Sequence, residues 1–139
     1  MNQHLVHIAL LVDDYDKAIA FYTQKLNFKV VEDTVLSESK RWVIIAPPDS
    51  EGCNLLLAKA TNEEQISRIG NQAGDRVFLF LQTNDFKRDF ENLRLKDVSI
   101  IREPSIENYG TVAVFADLYG NLWDLIEQTN QRETDSPIL

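Results

Sequence analysis

Apolar residues alternate or run together over residues 4–12, and the run stops at Asp13-Asp14. Tyr15, Ala18, Ile19, Tyr22 and Leu26 follow at the three- and four-residue spacing of one helix face. The pattern predicts a strand feeding a helix. Asp13 or Asp14 caps that helix, because its carboxylate can accept the free N–H groups of the first turn. Asn27 suits the left-handed residue that follows a helix. Phe28–Val35 is rich in β-branched residues and predicts a second strand. Trp42–Ala46 predicts a third, stopped by Pro47-Pro48, and Asn54–Lys59, after Gly52, a fourth. Residues 60–74 are polar, with a short helix around Glu63–Ile69 and a loop at Asn71–Gly74.

The plan then recurs. His7-Ile-Ala-Leu-Leu-Val-Asp-Asp14 and Phe78-Leu-Phe-Leu-Gln-Thr-Asn-Asp85 lie 71 positions apart, and Asp14 and Asp85 keep that offset without a gap. A fixed internal period means a repeated structural unit. Val77–Gln82 predicts a strand, and Phe86, Phe90 and Leu93 mark a helix capped by Asn84 or Asp85. Val98–Arg102 predicts a strand ended near Pro104. Thr111–Ala116 and Leu122–Glu127 form a hairpin through Asp117-Leu-Tyr-Gly-Asn121, with Gly120 supplying the positive φ of the turn. The tail from Thr129 is polar and reads as frayed. The expected fold is α+β: two βαβββ modules, at about 4–59 and 75–128, in a single domain spanning 1–139.

Composition narrows the function. At 139 residues, 44% apolar and 26% charged, the chain is an ordinary globular protein with enough mass for a core. The net charge of −8 repels phosphate backbones, so nucleic acid is not an expected partner. The acidity serves solubility or attracts a cationic ligand. No apolar run reaches membrane-spanning length, and no basic-then-apolar leader opens the sequence. A lone cysteine, Cys53, cannot form an internal disulfide, and the expected compartment is the cytoplasm.

The duplicated plan, together with Tyr109-Gly110 leading into Phe115-Ala-Asp-Leu-Tyr-Gly-Asn-Leu-Trp-Asp-Leu125, resembles the vicinal oxygen chelate superfamily. That superfamily includes glyoxalase I, extradiol dioxygenases and bleomycin-resistance proteins. The likeness covers roughly residues 4–128 and is closest to the small glyoxalase-like proteins of bacteria. It implies eight strands in two incomplete barrels, a homodimer in which modules of two subunits pair, and a concave face holding a ligand or a divalent metal. Metal-dependent members take ligands from the first and last strands of each module and use the ion as a Lewis acid. Carried over by position, those ligands fall on His7, Phe78, Asp124 and about Leu56. Only His7 and Asp124 can coordinate an ion, whereas a divalent site normally needs three or more protein ligands. His4, an odd number of residues from His7, should point to the opposite face of the strand.

Candidate residues follow from strand parity. His7 is either a pocket group or a hydrogen-bonded structural histidine. Asp124, in an apolar strand, is either a pocket acid or base or a carboxylate paired within the core, since burial without a partner is costly. Arg76, Phe78, Phe80 and Gln82 share parity. Arg76 would hold an acidic substrate and the phenylalanines an apolar wall, or the aromatics plug the second module. Trp42, Tyr109 and Trp123 are pocket or core residues. Tyr119 belongs to the turn, Glu127 faces away from Asp124, and Cys53 has no nucleophile signature. No phosphate loop, dinucleotide fingerprint, zinc-finger spacing or nucleophile elbow is present. The expected function is a glyoxalase/bleomycin-resistance-like protein that binds a small organic molecule, with catalysis, if any, through Asp124 or His7. The alternatives are a metal-dependent lyase or dioxygenase with an atypical site, and a non-catalytic dimeric module.

Overall fold

The computed structural model describes residues 1–129, and the tail expected to fray lies almost wholly outside them. The described residues form two compact units, Met1–Gln72 and the segment beginning at Ala73. Each holds one four-stranded sheet. The first unit has strands β1 (His7–Val12), β2 (Lys29–Val35), β3 (Arg41–Ala46) and β4 (Asn54–Lys59), with helices α1 (Tyr15–Lys25) and α2 (Glu63–Arg68). Its sheet order is β1-β4-β3-β2. The second has β5 (Val77–Gln82), α3 (Phe86–Leu95), β6 (Ser99–Glu107), β7 (Gly110–Ala116) and β8 (Leu122–Gln128), in the order β5-β8-β7-β6. The first and last strands of each unit pair in parallel, and the other pairs are antiparallel. This is the expected α+β, glyoxalase-like arrangement.

The helices form where the caps and spacing put them. Asp14 accepts the Lys17 N–H at 3.0 Å, and Asp85 accepts the Arg88 N–H at 3.1 Å. Each carboxylate satisfies a first-turn donor that has no partner within the helix. Asn27, at φ 61°, turns the chain out of α1. Tyr15, Ala18 and Tyr22 bury one face of α1, and Leu10, Leu57 and Val43, one row across the sheet, are close to fully buried. In α3, Phe86 and Phe90 stack with centroids 5.7 Å apart. The facing core of that sheet is built on Phe115, Trp123 and Leu125, with Phe115 and Trp123 stacked at 5.8 Å. Trp123 therefore belongs to the core and not to a pocket.

The strand patterns needed three corrections. β6 does not stop near Pro104 but runs to Glu107, with a register shift between Arg102 and Ser105. Proline cannot donate to a ladder, yet β6 is an edge strand, where an unpaired position and a bulge accommodate it. β1 starts at His7, so His4 precedes the strand and its parity says nothing about its direction. In β5 the pairing with β8 skips Phe78, between Val77 and Leu79, and Arg76 lies before the strand. The single face assumed for Arg76, Phe78, Phe80 and Gln82 is thus broken at Phe78.

One unforeseen contact finishes the free side of β1. The Gln72 side chain accepts the Leu11 N–H at 2.7 Å and donates to the Ala9 carbonyl at 3.1 Å. A side-chain amide here satisfies an edge strand's open donor and acceptor, as a neighbouring strand would. The long hairpin in the second unit is closed by Asp117. Its buried carboxylate accepts the Tyr119 and Asn121 N–H groups and the Asn121 side-chain amide, each at 2.9 Å. That turn fixes the start of β8, the strand that carries Asp124.

Candidate functional site

Asp124 sits in β8 opposite Phe80 of β5 on one side and Val114 of β7 on the other; Val114 in turn faces Arg102 of β6. Residues paired across strands share a sheet face. Phe80, Asp124, Val114 and Arg102 therefore form one row across the sheet, on the side away from α3. Trp123 and Leu125, the neighbours of Asp124, point into the core on the other side. Glu127 also leaves this face: its carboxylate accepts the Phe86 N–H at 2.8 Å and helps hold the start of α3.

The row is polarised. Phe80 is 68% exposed, a large apolar ring left uncovered. Asp124 Oδ1 is closed off from solvent and has no hydrogen-bond partner. Burial raises the carboxyl above its ordinary value, and the charge of Arg102 opposes that shift without cancelling it. An acceptor with no donor in a partly buried place leaves a desolvation cost that a ligand donor would relieve. Arg102 is exposed and belongs to no ion pair among the described residues.

In the first unit, His7 and Trp42 meet edge to face, with ring centroids 6.0 Å apart. His7 Nδ1 is buried without a partner, the other such side-chain atom among the described residues. The structural alternative of a satisfied histidine is not what the geometry shows at that nitrogen. The row equivalent to the Asp124 row is Ala9, Leu56, Ile44 and Glu32. It has no ring, no mid-sheet acceptor and an acid at its far end.

The remaining candidates stand apart. Arg76 is exposed ahead of β5, and Phe78 is half-buried at the register shift. Tyr109 is 39% exposed in the turn before β7. Cys53 is half-buried in the loop before β4. Strand parity picks out Phe80, as one of the two phenylalanines of the expected apolar wall, whereas Arg102 and Gln72 depend on register and on a long-range contact that no local pattern carries.

A divalent metal does not fit these residues as donors. Each unit offers one of the two expected ligands, and among the described residues no three His, Cys, Asp or Glu side chains converge. One imidazole or one carboxylate falls short of the three or more ligands that hold such an ion. Superfamily members often use divalent metals; Phe78 and Leu56, two positions to which the resemblance carried their ligands, have no donor atom in their side chains.

The family model for the glyoxalase/bleomycin resistance protein/dioxygenase superfamily matches residues 4–125. The chain belongs to that superfamily. An uncharacterized protein of Shewanella frigidimarina is 55% identical over 133 residues, covering 95% of this chain and 98% of its own. Lactoylglutathione lyase GLX1 of Arabidopsis thaliana is 26% identical, over 91% of this chain and 45% of its own length. Among solved structures, UcmS2 superposes with a TM-score of 0.79 at 32% identity, covering 91% of this chain and 98% of its own. TnmS3, an antibiotic binding protein from Streptomyces sp. CB03234, superposes with a TM-score of 0.75 at 25% identity, covering 92% and 98%. No helix among the described residues is long and apolar enough to cross a membrane.

Proposed function

We propose that this glyoxalase/bleomycin-resistance-like protein binds a small organic molecule on the sheet face that carries Asp124, and sequesters it. One observation carries the reading: an exposed Phe80 ring beside a carboxyl oxygen that has no donor. Covering apolar surface contributes roughly 25 cal/mol per Å², and a ligand donor would satisfy Asp124. The likeness to TnmS3, an antibiotic binding protein, supports the same reading. His7 and Trp42 offer a second polar–aromatic pair, on the first unit.

Nile red, a neutral apolar dye, tests the face. Its emission should rise on the parent protein and fall at least several-fold in Phe80→Ser at equal folded fraction. An unchanged signal in that variant rules the face out as the binding surface.

The protein acts as a homodimer in this reading, as the superfamily resemblance implies. Light scattering should give twice the 16.0 kDa chain mass, and a stable monomer would remove the dimer from the proposal. The likeness to lactoylglutathione lyase favours a second reading, a metal-assisted reaction. Calorimetric titration with nickel, zinc or manganese separates the two: stoichiometric tight binding supports the metal reading and counts against simple sequestration.

A further inference from the structure

We propose that the row Phe80, Asp124, Val114 and Arg102 selects an aryl acid: a flat bicyclic aromatic with a carboxylate at one end and a phenolic or amine donor at the other. The inference rests on the ligand-binding reading above and names the chemistry of the ligand.

Four features of the row specify it. The ring of Phe80 offers an exposed aromatic surface at one end, and aromatic groups pack against such a ring at centroid separations of about 4.5–7 Å. Asp124, one strand further in, has an acceptor oxygen with no donor. Val114 is apolar, is only 4% exposed, and separates the polar groups as a covered floor between them. Arg102 closes the row as a cation without an ion-pair partner among the described residues.

The spacing follows from the sheet. Neighbouring strands lie about 4.8 Å apart, so β8 and β6 are separated by roughly 9–10 Å. A fused two-ring aromatic carries substituents on its opposite ends at about that separation. Its carboxylate would meet the Arg102 guanidinium, whose planar fork suits two carboxylate oxygens. Its hydroxyl would then reach Asp124, with Phe80, one strand further out on β5, bordering that end of the ligand. The chain's net charge of −8 would otherwise disfavour an anionic ligand, so the local cation is what admits one.

The duplicated unit supplies an internal contrast. Its equivalent row replaces the ring by Ala9, the acceptor by Leu56 and the cation by Glu32. An aryl acid meets neither an acceptor for its hydroxyl nor a countercharge for its carboxylate there.

The test uses three probes on the full-length protein: 6-hydroxy-2-naphthoate, 2-naphthoate and 2-naphthol, titrated by calorimetry. The hydroxy acid should bind tightest, and loss of either end group should weaken binding by about tenfold, the scale of one charge-assisted contact. Arg102→Gln should bring the hydroxy acid down to the affinity of 2-naphthol while leaving 2-naphthol itself unchanged. Asp124→Leu, which removes the acceptor, should erase the advantage of the hydroxyl and spare that of the carboxylate. Far-UV dichroism and melting curves confirm that both variants fold. If the hydroxy acid and 2-naphthol bind equally, or if Arg102→Gln changes nothing, the aryl-acid proposal fails although the binding face stands. If Nile red binds through Phe80 and none of the naphthalenes does, the proposal fails in the same way. If neither the dye nor the naphthalenes bind, the face itself is refuted.

Discussion

Gly110 opens β7 at φ 152°, opposite Gln128. A Cβ added there would lie 2.2 Å from the Glu127 carbonyl oxygen, 2.9 Å from Gln128 Cα and 3.0 Å from the Glu127 carbonyl carbon. All three are backbone atoms of β8, so no side chain can swing aside. Gly110→Ala must therefore push the two strands apart or break their ladder at that end. A positive φ costs a non-glycine residue roughly 1–2 kcal/mol. Overpacking adds about 1–3 kcal/mol, and each lost ladder bond about 1 kcal/mol. The bond from Thr129 N–H to the Tyr109 carbonyl, at 3.1 Å, is the first at risk. Reduced freedom of the unfolded alanine chain offsets part of this loss, by up to about 1 kcal/mol.

The expected net loss is about 4 kcal/mol, a large fraction of the roughly 5–15 kcal/mol typical of a domain. With a urea slope of about 2 kcal/mol/M, the unfolding midpoint should drop by about 2 M. Gly74→Ala is the control. Gly74 also has a positive φ, 68°, but nothing lies within 4 Å of its added Cβ. That variant should lose only about 1–2 kcal/mol, the backbone part alone. Equal losses in the two variants would refute the steric argument and show that β8 moves freely at its C-terminal end.

Two further outcomes follow from the same strand. Asp117→Ala removes the carboxylate that accepts three hydrogen bonds in the buried turn before β8; it should cost about 3 kcal/mol in urea unfolding, and a loss below about 1 kcal/mol would mean that water replaces those bonds. Asp124 should destabilise the folded state as pH rises, because its folded value is raised above the ordinary 3.8. The sign is set by that direction: the neutral form is preferred on folding, so the relative stability is fully present below the unfolded value and is lost as pH climbs through the raised one. The stability difference between the parent and Asp124→Asn should therefore shift against the parent from about pH 4 upward, and a difference that stays flat from pH 3 to 7 would show that Asp124 is as well solvated folded as unfolded.

The elements were legible because their signals are local. Asp14 and Asp85 cap helices at the offset of the repeat, and a carboxylate before an amphipathic run needs only its own next three residues to act. Asn27 and Gly120 take the positive φ their places require. The strand ends were less legible where an edge relaxed the rules. Pro104 would break a central strand, yet it sits in β6, which has a neighbour on one side only. Phe78 looked equivalent to His7 by position, but the pairing of β5 with β8 skips it. A register shift involves two strands far apart in sequence, and alternation within one of them cannot show it.

The candidate site divides along the same line. Each of His7 and Asp124 could be singled out alone, as a polar residue in an apolar strand. What surrounds them depends on which residues the sheet sets opposite. In unit two, register brings Phe80, Asp124 and Arg102 onto one face; in unit one, the same register brings Ala9, Leu56 and Glu32 together. The pairings along this row match and the side chains differ, so the duplication repeats the row's scaffold and leaves its chemistry to three positions. Changing those positions alters no cap, turn or helix contact described above. A scaffold of this kind can vary its ligand at little cost to its fold, because the row lies on the face away from α3 while stability is concentrated on Phe115, Trp123 and Leu125 behind it.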